Sequence, residues 1–419
     1  MSQKPLHLSR QVETPWHRPD EYWSALASAT AALDPPFAAL SVPALSHNAF
    51  TLLDRANGKP IRVASKSVRV RGILDAVLAL PGFRGVLAYT LPEALWLATT
   101  SPQGQAIEDV VVGYPTADQA AISTLARSAT LASHVTLMVD SVAQLDFIDS
   151  TVPPSQRETI RVCVELDAAW RSAVLGSLGV RRSPTHTVDE MRSLAQTISS
   201  RRGFRIVGLM AYEAQIAGVG DIIPGRPAYQ SVIRIAQRRS TREISERRAA
   251  AVAAVRQLAD LEFVNGGGTG SVENTAAEDA VTEVAAGSGL FGPHLFDHYR
   301  HFSPAPAAAF ALSVVRRPDA KTATLLGGGW IASGPPGADR SPQLVWPEGL
   351  SFVAREMAGE VQSPVTGKAA SDLQIGDRVW LRHTKAGELS EHVNEFVLVD
   401  GATVVGTLPT YRGSGKAFL

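Results

Sequence analysis

With 419 residues, 45% hydrophobic and 19% charged, the chain exceeds what one compact core ordinarily holds, so two domains are expected. Forty basic residues balance forty acidic ones, and a net charge of zero argues against nucleic acid or an anionic membrane as a standing partner. Cys163 is the only cysteine, no stretch reaches the ~20 apolar residues of a membrane span, and MSQKPLHLSRQVETPW lacks a signal-peptide core, so a cytoplasmic protein is expected.

Residues 1–37 form an N-terminal segment that either completes the second domain or packs between the two. From there apolar runs alternate with helical spacing. Candidate strands fall at 37–42, 61–65, 85–90, 109–114, 135–140, 160–167, 205–212, 262–266 and 283–286. Several are apolar on both faces, as strands inside a parallel sheet must be. Helical spacing marks 70–80, 91–98, 117–127 and 187–199, and a longer helix spans about 229–261 with a break near Ser240. Repeated strand–helix order implies parallel pairing with right-handed crossovers, and so many repeats favour a closed (β/α)8 TIM-type barrel over 38–306. Cys163, inside the apolar run 160–166, reads as a small core hydrophobe. The arginine pairs Arg181 and Arg182, Arg238 and Arg239, and Arg247 and Arg248 read as solvated faces.

After Phe310 the texture changes. Short β-like runs at 310–315, 322–326, 351–357, 378–383, 395–399 and 403–408 are separated by Gly, Pro and Asp, which predicts an antiparallel β domain over 307–419. The Gly/Pro-rich stretch 327–342 is too long for a simple turn.

Three features carry chemistry. Lys66, in RVASKSVR, follows the second candidate strand, where a barrel presents its active-site face. A partly desolvated lysine there meets the condition for an amine that must be neutral to form a Schiff base. VNGGGTGS (Gly266 to Ser271) sets glycines at a strand end, where backbone N–H groups converge on an anion and Thr269 and Ser271 add hydroxyls. TEVAAGSGLFG, with Gly287, Ser288 and Gly289, offers a second small-residue turn, and two such turns late in a barrel form a phosphate cradle. His294, His298 and His301, in GPHLFDHYRHF, read as surface or interface residues.

The ordered set of Lys66, ELDAAWR…LGVRR, GLMAYEAQ, VNGGGTG and EVAAGS resembles the fold-type III pyridoxal-phosphate (PLP) enzymes. More narrowly it resembles the D-threonine aldolase and D-serine dehydratase group, whose N-terminal domain is similar to alanine racemase. The resemblance implies that Lys66 is the Schiff-base lysine, that Tyr212 lies by the cofactor ring, and that Gly267, Gly268, Thr269, Gly287 and Ser288 bind phosphate. It puts Arg171 forward as the arginine facing the pyridine nitrogen, although alignment on LGV puts Ser177 there. It also implies a divalent metal (Mn, Mg or Zn) on His392 and Asn394 in EHVNEF, with His383, Glu388 and Glu391 as further donors. Family histidines are replaced by Ala64, Val68 and Gln215, and a tyrosine by Gly289, which marks a divergent subfamily. The implied activity is retro-aldol cleavage of a small D-3-hydroxyamino acid by a homodimeric lyase. Alternatives are a D-serine dehydratase-like deaminase, an amino-acid racemase, a non-catalytic PLP-binding protein, or a barrel enzyme holding some other phosphorylated ligand.

Overall fold

The structure, a computed structural model, describes residues 5–172, 176–223, 225–335 and 337–419. Its contacts cluster into two units. One comprises Leu52–Ser65, Leu78–Gly287 and Phe418–Leu419; the other comprises the described residues up to Thr51, Lys66–Val77 and Ser288–Ala417.

The first strand, β1 (Phe37–Ser41), belongs to the second unit and not to the strand series that follows it, although its composition is the same. Next come β2 (Ile61–Ala64), β3 (Phe83–Ala88), β4 (Val110–Val112), β5 (Val135–Val139) and β6 (Ile160–Glu165). A hairpin follows, β7 (Trp170–Ser172) with β8 (Gly176–Leu178), and then β9 (Phe204–Ala211), β10 (Phe263–Gly266) and β11 (Glu283–Ala286). Eight of these close a parallel barrel in the order β10-β11-β2-β3-β4-β5-β6-β9. All residues of β4 and β5 are buried, as strands walled by helices on the outside and packed side chains inside require. Cys163 packs with Val111, Met138, Val207, Met210 and Phe263, and burial pushes its thiol pKa well up. Near the strand starts the interior is ionic. Buried Arg62 bonds Glu283 at 2.6 Å and Asp109 at 2.7 Å, and Asn265 donates to Glu283 at 2.9 Å.

The helix Val188–Ser200 opens on a capping box, with Thr187 and Glu190 reciprocally bonded. The longest helix, Pro227–Arg256, is continuous through the break expected near Ser240. Ser240 is buried and its hydroxyl accepts from Gln215 at 2.7 Å.

The second unit adds β12 (Ala308–Asp319), β13 (Thr322–Leu326), β14 (Gln343–Trp346), β15 (Leu350–Phe352), β16 (Gln362–Gly367), β17 (Arg378–Arg382), β18 (Glu395–Asp400) and β19 (Thr403–Pro409). Its main path is β15-β16-β13-β12-β1-β18-β19, and β17 joins β12 to β14. Every pair is antiparallel except β1 with β18. β14 and β16 lie between the candidate strands, where none was predicted, and the predicted strand at 351–357 stops at Phe352. The stretch 327–342 lacks a strand before β14; its Pro336 lies outside the described residues.

The N-terminal helix Pro19–Ala29 is tied to this unit. The Tyr22 hydroxyl donates to the Pro306 carbonyl at 2.8 Å, and Arg378 donates to the carbonyl of Thr30 at 2.8 Å. His294 departs from the surface reading: it is buried, with Nε2 3.0 Å from the Ser341 carbonyl and 3.1 Å from the Thr384 hydroxyl. Among the described residues no helix is long and apolar enough to cross a membrane.

Candidate active site

Four neighbouring barrel strands, β9, β10, β11 and β2, bring their C-terminal ends side by side. The chain leaves β2 at Ala64 and reaches Lys66, half-buried, in the short helical turn Ser65–Ser67. At the end of β11, a β-carbon on Gly287 would lie 2.3 Å from the Ala64 carbonyl oxygen, so only glycine lets these two strand ends approach. Ser288 opens the turn that follows.

At the end of β10, Gly267 adopts φ +82°, a left-handed conformation that glycine accepts without strain. A β-carbon on Gly268 would meet the Tyr212 ring at 3.0 Å, so Tyr212, just past β9, lies directly against this turn. Thr269 is buried within it. Two N–H groups expected to face an anion are bonded inside the protein instead: Gly267 donates to Glu213 at 3.3 Å and Gly268 to the Ser271 hydroxyl at 3.2 Å. At this turn the glycines permit close approach of backbone, and those two donors are used within the protein.

Behind the turn lies an ionic cluster that the sequence reading missed. Arg248 is completely buried and bonds Glu213 and Glu278 at 2.6 Å each, and the Ala211 carbonyl at 3.1 Å. The other Glu213 oxygen accepts from Ser271 at 2.9 Å and from the Thr275 hydroxyl. Arg247 is likewise engaged, donating to the Asp167 carbonyl at 2.6 Å and the His186 carbonyl at 2.9 Å while pairing with Glu243. The pair Arg247 and Arg248 is thus no solvated face; the only hint was an arginine doublet on an otherwise alanine-rich helix stretch.

Across the same barrel face, Glu165 ends β6. Burial, reinforced by Asp140 and opposed by Arg182, pushes its carboxyl up to about 7. Arg182 lies over the Tyr114 ring at 5.9 Å. Burial raises the Tyr212 phenol to about 12, with Tyr114 and Glu213 adding to the effect and Arg182 opposing it. Arg171 stands on the β7–β8 hairpin, 59% exposed and 3.5 Å from Asp167. A cavity of about 400 Å³ is lined by Arg171, Arg181, Arg182, Asp167, Ser177 and Ser183 among others. Gln215 is tied down by donating to the Ala168 carbonyl and to Ser240, both at 2.7 Å.

In the second unit, which includes Lys66 itself, the backbone of that lysine is closely packed. A β-carbon on Gly387 would lie 2.2 Å from the Lys66 carbonyl oxygen, which accepts from Arg69 at 2.9 Å. Arg69 pairs with Glu391 at 2.5 Å, and Ser390 donates to the Val68 carbonyl at 2.8 Å. Glu388 accepts backbone N–H groups from Thr384, Lys385 and Ala386. His392 stacks on Trp330 at 4.8 Å and 2°, and Trp330 stacks on Phe310. Burial pushes His383 down to about 4. Among the described residues no group of three or more His, Cys, Asp and Glu side chains could hold a metal ion. Of the donors expected for a metal, Glu388, Glu391 and His392 are engaged in the contacts just described, whereas both ring nitrogens of buried His383 lack a hydrogen-bond partner among the described residues, so no ready divalent-cation site surrounds His392 there.

PLP does fit the barrel residues. Two glycine turns that β-carbons would obstruct, a buried threonine, a tyrosine ring against one turn and a lysine just past the adjoining strand suit a phosphorylated aromatic aldehyde.

The family model for the alanine racemase N-terminal domain matches residues 40–294. No curated protein matches the chain. Among solved structures, D-threonine aldolase from Filomicrobium marinum is 20% identical with a TM-score of 0.72, covering 91% of this chain and 96% of that one. D-threo-3-hydroxyaspartate dehydratase from Delftia sp. HT23 is 19% identical with a TM-score of 0.69, covering 91% and 98%. Alanine racemase from Corynebacterium glutamicum is 16% identical with a TM-score of 0.53, covering 86% and 94%. At such identities the likeness carries the fold alone.

Proposed function

The chain belongs to the alanine racemase N-terminal domain family, a fold-type III PLP group, and on that premise we propose that it is a PLP-dependent lyase acting on a small D-3-hydroxyamino acid. The observation that carries the reading is the set of adjoining strand ends on which Lys66, Tyr212 and both glycine turns follow β2, β9, β10 and β11. In this reading Lys66 provides the amine that holds the cofactor, and Gly267, Gly268, Thr269, Gly287 and Ser288 hold its phosphate. When bound, PLP supplies an electron-withdrawing system that stabilises negative charge at the substrate Cα. The overall reaction takes the proton from the β-hydroxyl, breaks Cα–Cβ and returns a proton to Cα.

Glu165, with a pKa near neutrality, can hold or release a proton at the barrel face. The Tyr212 ring shapes the cofactor side of the site against Gly268. Arg182, rather than the exposed Arg171, is the cation we propose for the ring side, since it shares surroundings with Tyr114, Glu165 and Tyr212. No step is assigned to a metal. A homodimer is the proposed assembly.

One observation favours a second reading, dehydration of an acidic 3-hydroxyamino acid. The cavity beside β6 presents three arginines and one carboxylate, Asp167, which already bonds His186 at 3.0 Å. Such a cavity suits a substrate with a second carboxylate.

The test is to offer the PLP-loaded protein D-threonine, D-serine and D-threo-3-hydroxyaspartate and identify the products. Glycine with an aldehyde supports the lyase. A 2-oxo acid with ammonia supports the dehydratase, and an inverted enantiomer the racemase. No turnover of any of these would contradict an enzymatic role on this substrate class.

A further inference from the structure

Glu213, just past β9, ties the helix Pro227–Arg256 to the stretch 267–275 that follows β10. Its Oε2 accepts from Arg248 at 2.6 Å and from the Gly267 N–H at 3.3 Å; its Oε1 accepts from Ser271 at 2.9 Å and from the Thr275 hydroxyl. Arg248 reaches in from the helix Pro227–Arg256, packs under Gly266 and bonds Glu278 on its far side. Lys59 fastens the segment beyond by donating to the carbonyls of Glu278 and Val281. Glu213 and Arg248 are both buried, so each needs the other, because an unpaired charge there would cost several kcal/mol.

This is costly machinery for a turn of glycines. The turn VNGGGTG has many accessible backbone shapes when unconstrained. A carboxylate that fixes one N–H of the turn and both hydroxyls of the following residues leaves it one shape. We propose that Glu213, Arg248 and Thr275 are positioning residues that hold the Gly267–Gly268 turn in the conformation a phosphate monoester requires, and so set phosphate affinity without touching the ligand. The proposal rests on the cofactor reading given above. It predicts an effect confined to the phosphate: a ligand with the same ring and aldehyde but no phosphate gains nothing from a preorganised turn.

The experiment compares PLP with pyridoxal, titrated into the cofactor-free full-length protein, for the wild type, Thr275→Val and Thr275→Ser. Thr275→Val keeps shape and removes one donor to Glu213, which avoids the unpaired buried charge that Arg248→Met would create. PLP affinity should fall about tenfold or more in Thr275→Val, the scale of a lost hydrogen bond to a charged group. Pyridoxal affinity should change by less than about twofold, and Thr275→Ser should restore PLP binding. Parallel loss of both ligands, or unchanged preference for PLP in Thr275→Val, overturns the positioning role alone. A wild type that binds PLP no better than pyridoxal overturns the phosphate assignment of the turn, and this inference with it.

Discussion

Gly387 approaches Lys66 so closely that a β-carbon on it would lie 2.2 Å from the Lys66 carbonyl oxygen. The contact involves backbone, not a flexible side-chain tip, so it cannot be relieved without moving the chain. Arg69, paired with Glu391 and donating to that same carbonyl, braces the lysine from within its own segment.

Gly387→Ala is therefore expected to displace the Lys66 turn. Overpacking of this kind costs about 1–3 kcal/mol, and thermal unfolding with and without PLP would measure it. The variant should melt lower and gain less from added PLP than the wild type does. An unchanged melting temperature and unchanged PLP stabilisation would show that the contact is not rigid.

Glu165 makes stability depend on pH. Its carboxyl is held protonated to about 7 in the folded chain, mainly by burial, against an ordinary value of 4.5. Between those values the folded state binds more protons than the unfolded one, so the stability is present below 4.5 and lost as pH rises through 7. Glu165→Gln removes this dependence. It should unfold like the wild type at pH 4 and be the more stable of the two at pH 8, by up to about 3 kcal/mol. Denaturant titrations at the two pH values decide it; equal differences at both would reject the assignment.

His392 and Trp330 give a separate readout in the second unit. Because the His392 ring stacks on the indole at 4.8 Å, His392→Ala should change tryptophan fluorescence. Elemental analysis of the purified protein, and activity before and after chelator, should show no bound divalent metal and no chelator sensitivity. A stoichiometric metal lost in His392→Ala would contradict the donor assignments made for Glu388, Glu391 and His392.

The barrel was legible because its strands must be apolar on both faces and its turns must be glycine. Gly267 and Gly287 are dictated by backbone geometry that no other residue satisfies, so their meaning survives in one sequence. The Glu213, Arg248 and Glu278 cluster was not legible, since its members come from three elements and each looks like an ordinary surface charge. The strand at 37–42 was read correctly as a strand, yet nothing in its composition says that it pairs with β12 and β18. His392 is a related case. Its neighbours in sequence suggest ligands, whereas its neighbour in space is Trp330, sixty-two residues earlier.

In the proposed function Lys66 holds PLP covalently, and borohydride reduction of the PLP-treated protein followed by peptide mapping reads this out at the residue itself. The wild type should show a visible absorption band with PLP, lose it on reduction and retain one pyridoxyl group on the peptide containing Lys66; Lys66→Ala should show neither band nor label. A wild type without the band at saturating PLP, or a label on another lysine, would contradict the account.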